Sequence, residues 1–251
     1  MPEPRHLERI VWKARREVDR DAWPYRIPSV RQLMDDGGLD IPPGVTMLVG
    51  ENGTGKSTLI EAFAAVYPRA GAETSTRLSI TGPGPSDEDS PLHWHLRAKT
   101  HLLASPGGFF LRAEAMHAYL SEIDSSPSEA RAWGGEQLQS RSHGESFLTV
   151  LRHRFGERGV YFLDEPESAL SFQSSLALLV VLDALRQEGS QAIVATHSPV
   201  LASLPGATVL ELGDWGIRQT SWEELELVQS WRDFLTAPQR WLRHLFDAPR
   251  A

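Results

Sequence analysis

The sequence of 251 residues has no cysteine and no long apolar run. Without cysteine it can form no disulfide, no thiolate metal site and no thiol nucleophile, which is typical of proteins from a reducing compartment. The longest apolar run, LALLVVL at 176–182, ends at Asp183 and is far shorter than a membrane-spanning helix. Because the N-terminal stretch is too charged for a signal peptide, we expect a cytoplasmic protein with no membrane insertion.

Lysine and asparagine are also scarce. Three lysines accompany 22 arginines, and the net charge of −8 argues against a uniformly basic surface that would bind nucleic acid. Asn52 is the only asparagine, so the chain lacks the NKxD motif with which GTPases recognise guanine. What remains is a globular protein whose 41% apolar residues can fill a core.

Strand patterns alternate with helical patterns along most of the chain. Residues 1–49 read as two or three short extended segments that end in the strand Val45–Val49, and helical patterns fill the chain after residue 212. Further buried strands are predicted at 160–163, 192–195 and 208–212, and helices at about 145–155 and 172–187. This alternation favours an α/β fold with a mainly parallel core sheet flanked by helices.

The segment LHWHLRAKTHL, residues 92–102, alternates apolar with basic residues. A period of two predicts a half-buried antiparallel strand with one basic face. The residues of that face are His93, His95, Arg97, Lys99 and His101. A solvated face is the simplest interpretation; contact with DNA or RNA, and a zinc site at the first two histidines, are the alternatives.

A glycine-rich loop follows the strand Val45–Val49. GENGTGKST at 50–58 fits GxxxxGK[ST], and it stands between a predicted strand and a predicted helix, as a phosphate-binding loop does. The glycines let backbone N–H groups point at phosphates, Lys56 neutralises phosphate charge, and the Ser57 hydroxyl is a ligand for Mg²⁺. The predicted nucleotide-binding residues of the loop are Gly50, Asn52, Gly53, Thr54, Gly55, Lys56, Ser57 and Thr58.

Two later strands end in further reactive side chains. Asp164 and Glu165 follow the strand at 160–163, and His197 follows the strand at 192–195. The carboxyl ends of parallel strands are where α/β proteins bind ligands. Asp164 is therefore the second candidate ligand for Mg²⁺, Glu165 the candidate base for the attacking water, and His197 a candidate γ-phosphate contact.

These motifs, in this order, resemble the ABC-type ATPases. RSHGESF at 141–147 is similar to the signature loop of that class, and it precedes LDEPESALS at 163–171 and ATHSP at 195–199. With GFFLRAE at 108–114 and the terminal FLTAP, they make nearly the whole chain similar to small soluble bacterial ABC-class ATPases related to RecF, SMC and OLD-type proteins.

The resemblance implies a P-loop fold whose core sheet carries an antiparallel β subdomain and a small helical lobe. It implies a single ATPase domain over 1–251, with a core at about 1–110 and 156–251 and the lobe at about 111–155. It also implies ATP and Mg²⁺ as cofactors and a homodimer on ATP binding. In that dimer Ser142 and Gly144 of one copy grip the γ-phosphate held by the other, Ser168–Ser171 is the D-loop and His197 is the switch histidine.

Some positions depart from the family pattern or stay open. The D-loop ends in Ser171 where the family usually has an aspartate, and no glutamine follows a core strand as a Q-loop. Glu114 occupies that place, either as a substitute or as an acid that stabilises a helix start. Trp23 or Tyr25 is the candidate to stack on adenine, unless both belong to the core.

The sequence leaves three functions open. The first is a soluble ATPase that dimerises on ATP in DNA maintenance, defence or regulation. The second is a nucleotide-dependent module that recruits a separate effector protein. The third is the ATP-binding subunit of an ABC transporter, against which the divergent signature and the missing Q-loop glutamine count.

Overall fold

Nine strands form two sheets in the part of the chain that the structure, a computed structural model, describes: residues 5–67, 90–102, 104–105, 107–113, 143–154 and 158–246. The strands are β1 (Leu7–Trp12), β2 (Gly38–Asp40), β3 (Val45–Val49), β4 (Leu96–Thr100), β5 (Phe110–Arg112), β6 (Val160–Asp164), β7 (Gln191–Thr196), β8 (Thr208–Gly213) and β9 (Gly216–Thr220). The α-helices are α1 (Pro28–Asp35), α2 (Lys56–Val66), α3 (His143–Arg154), α4 (Phe172–Gln187), α5 (Glu226–Thr236) and α6 (Pro238–Phe246).

The larger sheet has the strand order β5-β6-β7-β3-β8-β9. Its first five strands are parallel, and β9 returns antiparallel to β8. β3, β6 and β7 are buried along their whole length, as expected for parallel strands with both faces covered. Because these three strands are neighbours and parallel, their carboxyl ends lie side by side at one edge of the sheet.

Helices cover both faces of this sheet. On one face, Phe147 of α3 and Leu182 of α4 join Tyr161 and Val194 in an apolar core. On the other face, α1, α2 and the smaller sheet pack together in a second apolar core, which includes the fully buried Phe63. None of the described helices is long and apolar enough to cross a bilayer.

The smaller sheet is antiparallel, with the order β2-β1-β4. A buried glutamine ties it to the larger sheet, because Gln191 Oε1 accepts hydrogen bonds from the backbone N–H groups of His6 and Leu7 at 2.6 and 2.7 Å. The order and direction of the strands in the two sheets confirm the predicted fold class, a P-loop α/β fold with a mainly parallel core sheet and an antiparallel β subdomain.

Most predicted elements are confirmed. The strand at 45–49 and the helix at 172–187 have the predicted bounds, and the strands at 160–163, 192–195 and 208–212 are one or two residues longer than predicted. The predicted helical lobe is described only near its two ends. Its first residues complete β5, α3 packs Phe147 and Leu151 into the core, and residues 114–142 lie outside the described part, so the lobe and its bounds stay predictions.

Two elements were missed. The N-terminal region contains α1 between its strands, and β9 interrupts the helical patterns expected after residue 212. In α1, a proline at the first position and the buried Val30 and Leu33 mark an amphipathic helix, but the helix is only eight residues long. For β9, the connection Gly213-Asp214-Trp215-Gly216 joins two antiparallel strands, and its two glycines are the local signal for a turn.

The predicted basic strand at 92–101 is partly wrong. Residues 91–95 form a 3₁₀ turn, which starts where the side chain of Ser90 accepts a hydrogen bond from the backbone of Leu92, and only Leu96–Thr100 is strand. His95 is buried and stacks on Trp12 with ring centroids 5.1 Å apart.

The basic face therefore loses the two histidines of the turn. Burial lowers the pKa of His95, which favours the neutral ring, and its Nδ1 accepts a hydrogen bond from the backbone N–H of Arg15 at 3.3 Å. Lys99 forms an ion pair with Glu8 at 2.9 Å. The zinc alternative is not supported by this geometry, and the nucleic-acid alternative keeps only Arg97, Lys99 and the flanking His101.

Candidate active site

The loop at 50–58 joins the end of β3 to the start of α2. Gly55 has φ 97°, a left-handed conformation that glycine adopts without strain, and Lys56 then begins the helix. The first backbone N–H groups of α2 have no acceptor within the helix and point out of its N-terminus. The loop thus presents donors and the positive end of a helix dipole to the carboxyl edge of the sheet.

Distant parts of the chain hold this loop in place. The hydroxyl of Ser29, at the start of α1, donates to the carbonyl of Thr54 at 2.7 Å. A side chain at Gly50 would place its Cβ 2.4 Å from the carbonyl oxygen of Leu212. The loop is therefore fitted between α1 and β8, and no local sequence signal shows either contact.

Lys56 is buried at the base of the loop. Its Nζ donates to the carbonyl oxygens of Gly50 and Glu51 at 2.8 and 3.0 Å. Burial lowers the pKa of Lys56, while the nearby carboxylates of Glu165 and Asp164 act in the opposite direction. The ammonium group is thus held inside the loop by backbone oxygens and surrounded by negative charge, ready to exchange these partners for phosphate oxygens.

Ser57 and Asp164 meet at the sheet edge. The hydroxyl of Ser57 donates to Asp164 Oδ1 at 3.0 Å. Burial raises the pKa of Asp164 to about 6, although the hydrogen bond from Ser57 opposes that shift. A bound cation would stabilise the ionised carboxylate in this buried position.

This pair fits Mg²⁺, because magnesium sites on nucleotides use one or two protein oxygens and fill the rest of the shell with phosphate and water. Within the described residues there is no cluster of three or more His, Asp or Glu side chains able to hold a metal by themselves. The donor set at Ser57 and Asp164 therefore suits a nucleotide-bound ion better than a protein-enclosed one.

An arginine missed by sequence reasoning lies on the far side of Asp164. Arg112, at the end of the neighbouring strand β5, has its Nε 3.7 Å from Asp164 Oδ2 and forms an ion pair with Glu61 of α2. Asp164 thus faces Ser57 with one oxygen and Arg112 with the other. The GFFLRAE motif offered a signal, but sequence reasoning considered only its last residue, Glu114, which lies outside the described residues.

Glu165 and His197 come together from adjacent strands. Glu165 has φ 47° and is the one non-glycine residue of the described part with a left-handed backbone. Its Oε1 lies 3.9 Å from Lys56 Nζ and 3.5 Å from His197 Nδ1. A strained backbone is expected where function requires a particular side-chain direction, and here the side chain points between the lysine and the histidine.

A cleft of about 390 Å³ opens over these groups. The residues that line it are Trp23, Arg26, Ile27, Asn52, Gly53, Gly55, Lys56, Ser57, Thr58 and Glu165. Trp23 is half exposed beside the loop, whereas Tyr25 is buried against Trp12 and His95. Of the two aromatic candidates, only Trp23 is therefore available to stack on a nucleotide base.

The predicted signature loop is described in part. The helix α3 begins at His143, so the backbone of Gly144 lies in its first turn. Ser142, the other predicted residue of this loop, lies outside the described residues. This twelve-residue helix begins slightly earlier than the predicted start at about 145, and the turn expected before it lies outside the described residues, so the signature loop stays a prediction.

Comparison with known proteins identifies the family. A family model described as "AAA domain, putative AbiEii toxin, Type IV TA system" matches residues 146–203. A cytochrome c biogenesis ATP-binding export protein of Maricaulis maris is 31% identical over 192 residues, which cover 72% of this chain and 85% of that protein. A hemin import ATP-binding protein of Burkholderia lata is 30% identical over 210 residues, covering 70% and 77%. The chain belongs to the ABC-type ATPases.

A solved SMC head domain from Thermotoga maritima is 15% identical, with a TM-score of 0.45 over 86% of this chain and 98% of that one. Membership of the ABC-type ATPases makes the chain an ATP-binding protein of the P-loop class. The cleft over the loop at 50–58 is the place where its described residues offer phosphate-binding donors.

Proposed function

We propose that this ABC-type ATPase hydrolyses the γ-phosphate anhydride of ATP in a homodimer that forms on ATP binding. The observation that carries the proposal is the convergence on Glu165, whose Oε1 lies 3.5 Å from His197 Nδ1 and 3.9 Å from Lys56 Nζ. A base for hydrolysis must lie beside the groups that hold the phosphate, within reach of the attacking water. Nucleotide storage alone would need no such base.

The described side chains have different roles in the proposed reaction. The loop N–H groups and Lys56 bind phosphate oxygens, and Ser57 and Asp164 hold Mg²⁺, which when bound adds positive charge at those oxygens. Glu165 orients the water and takes its proton as the water oxygen attacks phosphorus in line with the leaving ADP oxygen. His197, at the same edge, contacts the γ-phosphate.

The dimer is supported by the predicted signature loop. Gly144 is the second residue of α3, and a backbone N–H at that position of a helix has no acceptor within the helix. Such a donor can bind an anion that arrives from another copy, and Ser142 is the predicted second donor of this loop. In DNA maintenance, defence or regulation, such a dimer would act as a switch.

Replacing the base tests the proposal. Glu165→Gln keeps the shape of the side chain but cannot accept the proton, so kcat should fall by about 10²- to 10⁴-fold while ATP binding persists. Size-exclusion chromatography with light scattering should show an ATP-dependent dimer of this variant that wild type forms only transiently. Glu188→Gln, at the exposed C-terminal end of α4, is the matched control and should behave as wild type.

A second substitution tests the dimer separately. Ser142→Arg in the Glu165→Gln background should abolish the dimer and leave ATP binding to the monomer within about twofold, since the phosphate loop is untouched. If Glu165→Gln stays monomeric at saturating ATP, the homodimer is wrong. If it hydrolyses ATP at the wild-type rate, the assigned base is wrong.

The C-terminal helices favour a second candidate function, nucleotide-dependent recruitment of a separate protein. Only the first turn of α5 is buried, through Val228. Beyond it, large apolar side chains are exposed on both helices: Trp231, Phe234, Leu235, Trp241, Leu245 and Phe246. Exposed arginines at 232, 240 and 243 lie among them, so the fitting partner has an apolar patch bordered by carboxylates.

The membrane subunit of a transporter is one form of such a partner, and the import and export systems named among the relatives support it. The competing occupant is a second copy of this chain. We expect the nucleotide-free chain to be monomeric, with Leu245→Glu eluting at the same volume. A nucleotide-free dimer that this substitution dissociates would show that the helices pair with themselves and would refute recruitment through them.

A further inference from the structure

Glu167 lies two residues beyond Glu165 and contacts the loop that carries His197. Its Oε1 accepts a hydrogen bond from the hydroxyl of Thr196 at 2.5 Å and another from the backbone N–H of His197 at 2.8 Å. The Thr196 hydroxyl in turn accepts from the backbone N–H of Ser198 at 3.0 Å. One carboxylate oxygen therefore anchors the backbone of the strand end that presents the histidine.

The burial of this carboxylate is unusual. The side chain of Glu167 is 8% exposed, and its second oxygen, Oε2, is buried with no hydrogen-bond partner in the described part of the chain. Burying an ionisable group with an unsatisfied oxygen is unfavourable, and such groups in folded proteins call for an explanation beyond stability. A hydroxyl or amide would satisfy the same backbone donor at a smaller desolvation penalty.

The geometry supplies an explanation. His197 Nδ1 lies 3.5 Å from Glu165 Oε1 and 3.5 Å from Glu167 Oε1, so the ring sits between the two carboxylates. The ring is 47% exposed, which means that packing constrains it little. The hydrogen bond to its backbone N–H is then a main determinant of where the ring stands relative to Glu165.

We propose that Glu167 is a positioning residue of the hydrolytic site, which acts by holding the backbone of His197 so that its ring meets Glu165. The proposal rests on the hydrolytic function proposed above. Displacing a catalytic group by about 1 Å reduces rates by about a hundredfold. Loss of the two hydrogen bonds should therefore lower kcat, whereas the KM for ATP stays within about twofold because the phosphate loop is unchanged.

Two conservative substitutions separate hydrogen-bond reach from charge. Glu167→Gln keeps an oxygen at the Oε1 position without the charge, and Glu167→Asp keeps the charge but withdraws the oxygens by one methylene. If the position of the accepting oxygen matters and its charge does not, Glu167→Gln retains kcat within about threefold of wild type. Glu167→Asp then has a kcat that is lower by about ten- to a hundredfold. The reverse order, an active Asp variant and an inactive Gln variant, overturns the proposal.

A double-mutant cycle tests whether Glu167 acts through the histidine. In wild type, Glu167→Ala should lower kcat by about ten- to a hundredfold, but in a His197→Ala background it should lower kcat by less than about twofold. Equal losses in both backgrounds would mean that Glu167 acts independently of His197, and an unchanged kcat for Glu167→Ala would mean that it does not act at all. If Glu167→Ala fails to fold, the Gln and Asp pair still decides.

A separate set of measurements shows whether the proposed hydrolytic function itself is wrong. Wild type and Glu165→Gln are measured first; hydrolysis that is insensitive to Glu165→Gln removes the proposed base, whatever Glu167 does. When the base is confirmed and the Glu167 series shows no dependence on His197, only the positioning role is removed. Glu188→Gln serves as the matched carboxylate control in the same assays.

Discussion

The hydroxyl of Ser57 donates a hydrogen bond to Asp164 Oδ1 at 3.0 Å, across 107 positions of the sequence. The serine belongs to the first turn of α2 and the aspartate to the end of β6. The contact joins the phosphate loop to the end of β6, and it places the two predicted Mg²⁺ ligands next to each other. A cation bound there would replace the serine proton as the partner of the carboxylate.

Burial of Asp164 makes the stability of the nucleotide-free chain depend on pH. Because burial raises its pKa from 3.8 to about 6, the folded chain binds this proton more tightly than the unfolded chain, and stability falls as pH rises from about 4 to 6. Asp164→Asn removes the penalty and still accepts from Ser57. Its free energy of unfolding should exceed that of wild type by on the order of 2 kcal/mol above pH 6, measured by urea unfolding.

The same comparison at about pH 4.5 is the control, since most of the carboxyl is then protonated in the folded chain. There the advantage of Asp164→Asn should shrink markedly. An equal advantage at both pH values would show that ionisation of Asp164 is not its source.

Lys56→Ala should weaken ATP binding by about a hundredfold, equivalent to about 3 kcal/mol. The reason is that the buried ammonium is the positive side chain at the base of the phosphate loop, held by Gly50 and Glu51. Isothermal titration calorimetry with ATP and Mg²⁺ measures the change. Lys99→Ala, which removes an exposed lysine on β4, is the matched control and should bind as wild type; similar losses in both would contradict the assignment.

Trp23→Ala should weaken ATP binding by about tenfold, because stacking of a base on an aromatic ring contributes about 1–3 kcal/mol. Binding of inorganic triphosphate, which has no base, should not change. Tyr25→Phe is the control, since its ring is buried away from the cleft. If Trp23→Ala affects triphosphate and ATP equally, the tryptophan supports the loop and does not contact the base.

Gly50→Ala should reduce both stability and ATP affinity, because its Cβ would lie 2.4 Å from the carbonyl oxygen of Leu212. The loop or β8 must move to relieve this overlap, and we expect a loss of about 1–3 kcal/mol in the free energy of unfolding. Gly37→Ala is the comparison: its φ of 67° is strained for alanine, but no atom lies within 4 Å of the new Cβ. That variant should lose about 1–2 kcal/mol and bind ATP normally.

Local patterns were sufficient for the phosphate loop and the core strands. The glycine spacing at 50–58, the apolar runs of β3, β6 and β7, and the helical spacing of α4 each depend on neighbours within a few residues. The parallel order of the strands then predicted that Asp164, Glu165 and His197 share an edge. In the structure Glu165 Oε1 lies 3.9 Å from Lys56 Nζ and 3.5 Å from His197 Nδ1, and Asp164 accepts a hydrogen bond from Ser57 of the same loop.

Local patterns failed where a distant contact decides the conformation. Alternation in LHWHLRAKTHL predicted a strand over the whole segment, but His95 is buried against Trp12 in a 3₁₀ turn and the strand begins only at Leu96. Two groups of the site were also missed, Arg112 beside Asp164 and Glu167 beside His197. The partner of each lies at least 30 positions away in the sequence, so local patterns do not show which side chain it will contact.

The sequence by itself determined the family, the phosphate loop and the candidate base, because each is recognised from a short motif of neighbouring residues. Only the tertiary structure decided that Trp23 and not Tyr25 lines the cleft, that Ser29 and Leu212 confine the loop, and that Glu167 holds His197. These contacts join residues far apart in the chain, and their distances are set by the packing of the sheets and helices around one core.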